Sequence, residues 1–138
     1  RVTPEFVYVP WVFSAVFWMI CGVLMGLFLN VVPETLQPKF GGLRYLHIHV
    51  GLAAGMLQML LGLGTRILSE RWGQTPPRFG GLMKGSFYLF NTAIALALWA
   101  HLAHGRGSTW LAAAAALFVL SLFMYVQAMV QKRPVASR

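Results

Sequence analysis

The chain of 138 residues holds four histidines, His47, His49, His101 and His104, and they fall in two pairs. Imidazole binds metals and moves protons near neutral pH, so the spacing within and between the pairs decides which chemistry is open to them. His47 and His49 lie two residues apart, which on a 3.6-residue helix turns them about 200° from one another. One regular helix cannot aim both at the same ion. His101 and His104 lie three apart and share a face. A bare zinc or copper site would draw three of these ligands at most, with no cysteine or carboxylate beside them. The lone Cys21 sits inside an apolar run, as a packing residue does, and Glu34 belongs to a proline-containing loop.

Steps of three and four residues along the face of His47 reach Gly51, Gly55 with its neighbour Ala54, Gln58 and Gly62. A histidine at the head of a glycine lane suits a large flat cofactor. The imidazole reaches an iron, and the missing side chains let a macrocycle such as haem lie close to the backbone. The same lane also suits a second helix, because small residues four apart let two backbones approach, as Gly22 and Gly26 would do in the preceding apolar run. The spacing alone leaves both uses open.

The elements that position these residues belong to a membrane. Apolar residues are 58% of the chain and charged residues 10%, with a mean hydropathy of +0.67; soluble domains run at roughly 45–50% and about 25%. Four runs, 9–32, 45–68, 82–102 and 110–130, each supply the ~20 apolar residues that cross ~30 Å of hydrocarbon. Only Arg66 and Lys84, near their ends, bring charge into them. Helix is the economical choice, since lipid offers no partner to an unpaired backbone group, and no run shows the alternation of a strand. Proline and glycine punctuate the connections: Pro33, Pro38 and Gly41-Gly42, then Pro76-Pro77 and Gly80-Gly81, then Gly105 to Gly107 with Ser108 or Thr109 as the next N-cap. The expectation is one all-α integral membrane domain over 1–138 with four transmembrane helices. The first run is too long for a signal peptide and lacks its small-residue cleavage site, so it is retained.

With four spans, both termini share a side with the 69–81 connection. That side carries Arg1, Arg66, Arg71, Arg78, Lys84, Lys132, Arg133 and Arg138, and the other carries Lys39, Arg44 and Arg106. Cationic loops stay in the cytoplasm, so both termini are expected inside a bacterial-type inner (cytoplasmic) membrane and the histidine cluster at its outer side. The net charge of +8 then reads as orientation in lipid, with no nucleic acid as partner. Trp11 and Trp110 are expected in the two aromatic belts. Asn91, Gln58 and Gln127 are expected to bond between helices.

The stretch Phe40-Gly41-Gly42-Leu43-Arg44-Tyr45-Leu46-His47, continuing to Arg66, resembles the second transmembrane helix of the catalytic subunit of C-family haem–copper oxidases, to which nitric oxide reductases are related. In that family a loop ending Phe-Gly-Arg-Leu-Arg-Pro-Leu-His delivers a ligand of the low-spin b haem. Upstream, GVLMGLFLNVVPE looks like the family's first helix and its exit, so the similarity covers about residues 20–66. Gly42 stands where the family has an arginine and Tyr45 where it has a proline, and the 138 residues hold no counterpart of the helices that carry the second haem and the copper ligands. The resemblance implies His47 as an axial ligand of haem b and Arg44 as a neighbour of its propionates; on the spacing above, Gly51 and Gly55 would be the surface beneath the ring. The topology adds His101, at the matching end of the third span, as the preferred second ligand; His104 and His49 rank below it.

No phosphate loop, catalytic triad or carboxylate pair is present, so hydrolytic and nucleotide-dependent chemistry is set aside, and the absence of Cys-x-x-Cys-His excludes covalent haem attachment. The expected function is a membrane b-type cytochrome, passing electrons between a quinol and an outer acceptor or binding a gas, alone or as a subunit of a respiratory complex. The alternatives are a haem-free accessory or assembly subunit of an oxidase, and a copper-handling membrane protein. Lipid is the surrounding partner, and the two glycine pairs fit a homo-oligomer or larger complex.

Overall fold

The computed structural model describes residues 8–36, 41–74, 81–104 and 108–131. Helix α1 (Val9–Val31) opens with Pro10 in its first turn, where a missing N–H costs nothing, and stops at Val32, which is extended ahead of Pro33. The second span is one continuous rod in three parts: α2 (Gly41–His49), a π-helical segment (Val50–Leu57) and α3 (Gln58–Arg71). It ends in a Schellman motif. Gly73 takes a left-handed φ of +61°, its N–H donates to Glu70 O at 3.1 Å, and the Gln74 N–H donates to Ser69 O at 3.0 Å. Helix α4 (Gly81–His104) starts at a second left-handed glycine, Gly81, φ +52°. Helix α5 (Thr109–Val130) is capped by Ser108, whose Oγ accepts the Leu111 N–H at 3.4 Å. Pro38, Pro76, Pro77, Gly80 and the Gly105–Gly107 turn lie outside the described residues.

All four spans are long and apolar enough to cross a membrane, so the chain is an all-helical, multi-pass membrane protein. The expected runs match to within a few residues; the second span is longer at both ends. Helices α4 and α5 pair along their lengths, and α1 packs as extensively along the second span. Leu, Ile, Val and Phe side chains on the outer surfaces are exposed throughout, as lipid contact allows.

Packing between spans is set by a small number of polar and aromatic groups. At the end where α1 and α4 begin, Trp11, Met83, Phe90, Tyr125, Ala128 and Met129 form the buried cluster. Trp11 is completely buried and meets Phe87, Phe90 and Tyr125 edge-on, at 5.3, 5.8 and 5.8 Å between ring centroids. It is therefore a core residue and not part of an aromatic belt: three aromatic rings around one indole exclude lipid headgroups. Midway along the bundle, Asn91 Oδ1 accepts from Ser14 Oγ (2.6 Å), Trp18 Nε1 (2.7 Å) and Gln58 Nε2 (3.2 Å), joining α1, α3 and α4. Ser86 Oγ donates to the Ser121 carbonyl at 2.7 Å and joins α4 to α5. Tyr125 OH donates to the Leu61 carbonyl at 2.8 Å and joins α5 to α3. Gln127, by contrast, is exposed and Cys21 half-buried.

Candidate functional site

The histidines gather at the end of the bundle where α1 and α4 finish and α2 and α5 begin. His47 projects from α2 onto α1. Its Nδ1 lies 2.5 Å from the Gly22 carbonyl, and its ring lies over Gly26, where an added Cβ would come within 2.8 Å of Cε1 and 3.1 Å of Nε2. Only glycine at 26 lets the ring sit there. A carbonyl can only accept, so the proton is assigned to Nδ1 and the lone pair to Nε2. That is the form in which histidine ligates a metal, with its other nitrogen held by a backbone oxygen.

The glycine lane has two fates. At Gly51, one turn inward of His47, a side chain would meet open space. At Gly55 it would run into Met19 of α1, and at Gly62 it would lie 2.9 Å from Trp11 Cβ. Gly22 in turn rests on the Gly51 backbone, an added Cβ standing 3.4 Å from Gly51 Cα. Over Gly55 and Gly62 the lane is a contact between helices; at Gly51 the backbone touches α1 while the direction of a side chain is open. The intervening Val50–Leu57 segment is π-helical, a form that is rare and concentrates at functional sites. Its buried residues are Val50, Ala54 and Gly55.

His101 sits on the other side of α2. It is 8% exposed, and its Nε2 would lie 2.6 Å from a Cβ at Gly42. Its ring stacks on Tyr45 at 5.6 Å and 18°, and Tyr45 stacks on His49 at 3.8 Å and 29°. Tyr45 and His47, two residues apart, point about 200° from each other. The fold thus brings His101, Tyr45 and His49 together and leaves His47 with α1. His104 is exposed, edge-on to Trp99 at 5.0 Å; Trp99 meets Trp110 at 5.5 Å. Arg44 is exposed, three residues before His47. Among the described residues no three His, Cys, Asp or Glu side chains converge where an ion could sit.

Sequence spacing did not indicate the cavity beside His49. It has a volume of about 330 Å³ and lies between the second span, α4 and α5, with Ala53, Ala93, Ala97, Ala114 and Ala115 among its walls. The signal available for it was five alanines at matching depth on three helices. Small residues read as good helix formers until the helices that face each other are known.

Measured against known proteins, the chain matches no described family, no curated protein and no solved structure.

Proposed function

We propose that the chain is a membrane b-type cytochrome, an electron-transfer or gas-binding protein or a subunit of a respiratory complex, with His47 as its axial ligand. The observation that carries this reading is the His47 ring: Nδ1 is held on the Gly22 carbonyl, which leaves the lone pair on Nε2, and one turn inward a side chain at Gly51 would meet open space. Tested against a haem, Gly51 leaves room and Gly55, taken up by α1, does not, while His47 would have to swing its Nε2 away from Gly26 to hold the iron. Arg44, exposed at the end of the span, would pair with a propionate through its guanidinium. When bound, haem b supplies a one-electron couple or a gas-binding iron. His101 is turned to Gly42 and Tyr45, so of the four histidines His47 is the one that would hold the group. On the eight-to-three distribution of basic residues, both termini lie in the cytoplasm and the site faces outward.

Protein purified from haem-replete cells should show a Soret band, and His47→Ala should lose it. Gly51→Leu should also lower haem content, because its side chain enters the space left open there. A haem spectrum retained by the His47 variant refutes the assignment. A second reading, a haem-free accessory or assembly subunit, is favoured by the packing of Gly55 and Gly62 on α1. It is the one left if the wild-type protein carries no haem.

A further inference from the structure

We infer that Arg66, Glu70 and Tyr8, at the end where α3 finishes, bind the headgroup of phosphatidylethanolamine, with the phosphate on Arg66 and Tyr8 and the ammonium on Glu70. This goes beyond the haem reading and does not depend on it.

The depth of Arg66 is the first support. The second span carries no Asp, Glu, Lys or Arg between Arg44 and Arg66. At ~1.5 Å per residue that stretch is ~30 Å long, the thickness of the hydrocarbon. With Arg44 at one edge of the bilayer core, Arg66 stands at the other, at the level of the lipid phosphates. Toward the bilayer centre, Leu63 and Leu60 are exposed on the same side of α3, and Ile67 is exposed beside Arg66. The acyl chains of a lipid whose phosphate meets Arg66 would lie along this apolar strip.

The polar groups are also oriented in advance. Arg66 Nε donates to Glu70 Oε1 at 2.9 Å and Nη1 donates to Tyr8 OH at 3.2 Å, and the guanidinium lies 5.6 Å from the centroid of the Tyr8 ring. These bonds use two of the five N–H donors of the guanidinium, and the others suit a phosphate oxygen. The Tyr8 hydroxyl, an acceptor from Arg66, has its own hydrogen to give. The Arg66 and Glu70 side chains are 54% and 62% exposed, so a headgroup can reach both.

Charge selects the headgroup. Glu70 lies one turn beyond Arg66, ~5–6 Å further from the bilayer centre. In phosphatidylethanolamine the ammonium follows the phosphate outward by a two-carbon link, so the order of charges in the lipid complements the order on the helix. Phosphatidylglycerol offers Glu70 no cation and sets its own negative charge beside the carboxylate. The methylated nitrogen of phosphatidylcholine has no N–H to donate. Arg71 and Lys84, at the same end of the bundle, are exposed but join no ion pair among the described residues. Arg66 with Glu70 is where both charges of a zwitterion find a partner.

The test uses the full chain, delipidated in detergent and titrated with dioleoyl phosphatidylethanolamine, phosphatidylcholine or phosphatidylglycerol, with bound lipid read by native mass spectrometry. Phosphatidylethanolamine should bind about fivefold more tightly than either of the others, the worth of one exposed ion pair. Glu70→Gln should lower its affinity to that of phosphatidylcholine, and Tyr8→Phe should weaken both lipids alike. Equal binding of phosphatidylethanolamine and phosphatidylcholine by the wild type, tighter binding of phosphatidylglycerol, or a preference that survives in Glu70→Gln overturns the proposal. Displacement of the lipid by equimolar glycerophosphoethanolamine also overturns it, since the site would then take a soluble headgroup and not a lipid. Should Glu70→Gln lose its helical circular dichroism, the three-lipid comparison on the wild type decides the matter alone.

Discussion

Replacing Asn91 by leucine should cost the bundle about 2 kcal/mol, far more than its single side chain suggests. Its Oδ1 is the shared acceptor for donors from three places on two other helices: Ser14 Oγ at 2.6 Å, Trp18 Nε1 at 2.7 Å and Gln58 Nε2 at 3.2 Å. Interhelical hydrogen bonds within membranes average about 0.6 kcal/mol each, with a maximum near 1.7, so three give about 2 kcal/mol. Leucine has similar bulk, so the cost is one of polarity and not of a cavity. Losing the Asn91 Nδ2 bond to the Phe87 carbonyl, 2.9 Å within the same helix, adds little, since that carbonyl keeps its place in the helix ladder. About 2 kcal/mol is a change of roughly 30-fold in the unfolding equilibrium. Reversible unfolding in mixed micelles, followed by circular dichroism, measures it. A double-mutant cycle of Ser14→Ala with Asn91→Leu should show coupling of about 0.6 kcal/mol or more. A cost below 0.5 kcal/mol for Asn91→Leu, or strict additivity in the cycle, refutes the claim that this oxygen joins the helices.

Gln58→Met should change stability by less than about 0.5 kcal/mol, because Gln58 Oε1 is buried without a partner and its removal offsets the loss of the long bond to Asn91; the same unfolding assay reads it. Gly26→Val and Gly51→Ala should differ sharply. The first brings Cβ to within 2.8 Å of His47 Cε1 and must displace the ring, lowering the melting temperature, while the second enters open space and should leave it within a degree or two. For orientation, a reporter fused after Arg138 should read cytoplasmic, on the weight of eight basic residues against three; a translocated reporter reverses the assignment and puts the histidines inside.

The spans were legible because a run of some 20 apolar residues has one economical structure in lipid, and the breaks at Pro33 and before Ser108 are local backbone chemistry. Ser108 as the N-cap is of the same kind: a side-chain oxygen within one turn of the N–H it satisfies. The divergence of His47 and His49 was also legible, since two residues on one helix have a fixed angle between them. The left-handed cap at Gly73 follows the same local logic, although the sequence offers little more for it than a glycine after the last basic turn.

What each lane and each histidine touches was not a local matter. Side chains added at Gly55 and Gly62 would strike α1, yet one at Gly51 would meet open space even though Gly22 of α1 rests on its backbone, which depends on where Met19, Trp11 and Gly22 arrive from a different span. Trp11 near the start of a span has the sequence of a belt residue; three aromatic rings from α4 and α5 make it the core. His101 reaches the depth of His47, as counting residues implies, but lands on Gly42 and Tyr45 because α4 approaches the opposite side of α2 from α1. Composition and spacing determine that four helices cross a membrane and that histidines collect at one end of them. Which histidine meets which helix, and where alanines from three spans leave a cavity beside His49, was decided by the rotation and neighbours of each helix, and these depend on contacts between residues far apart in the chain.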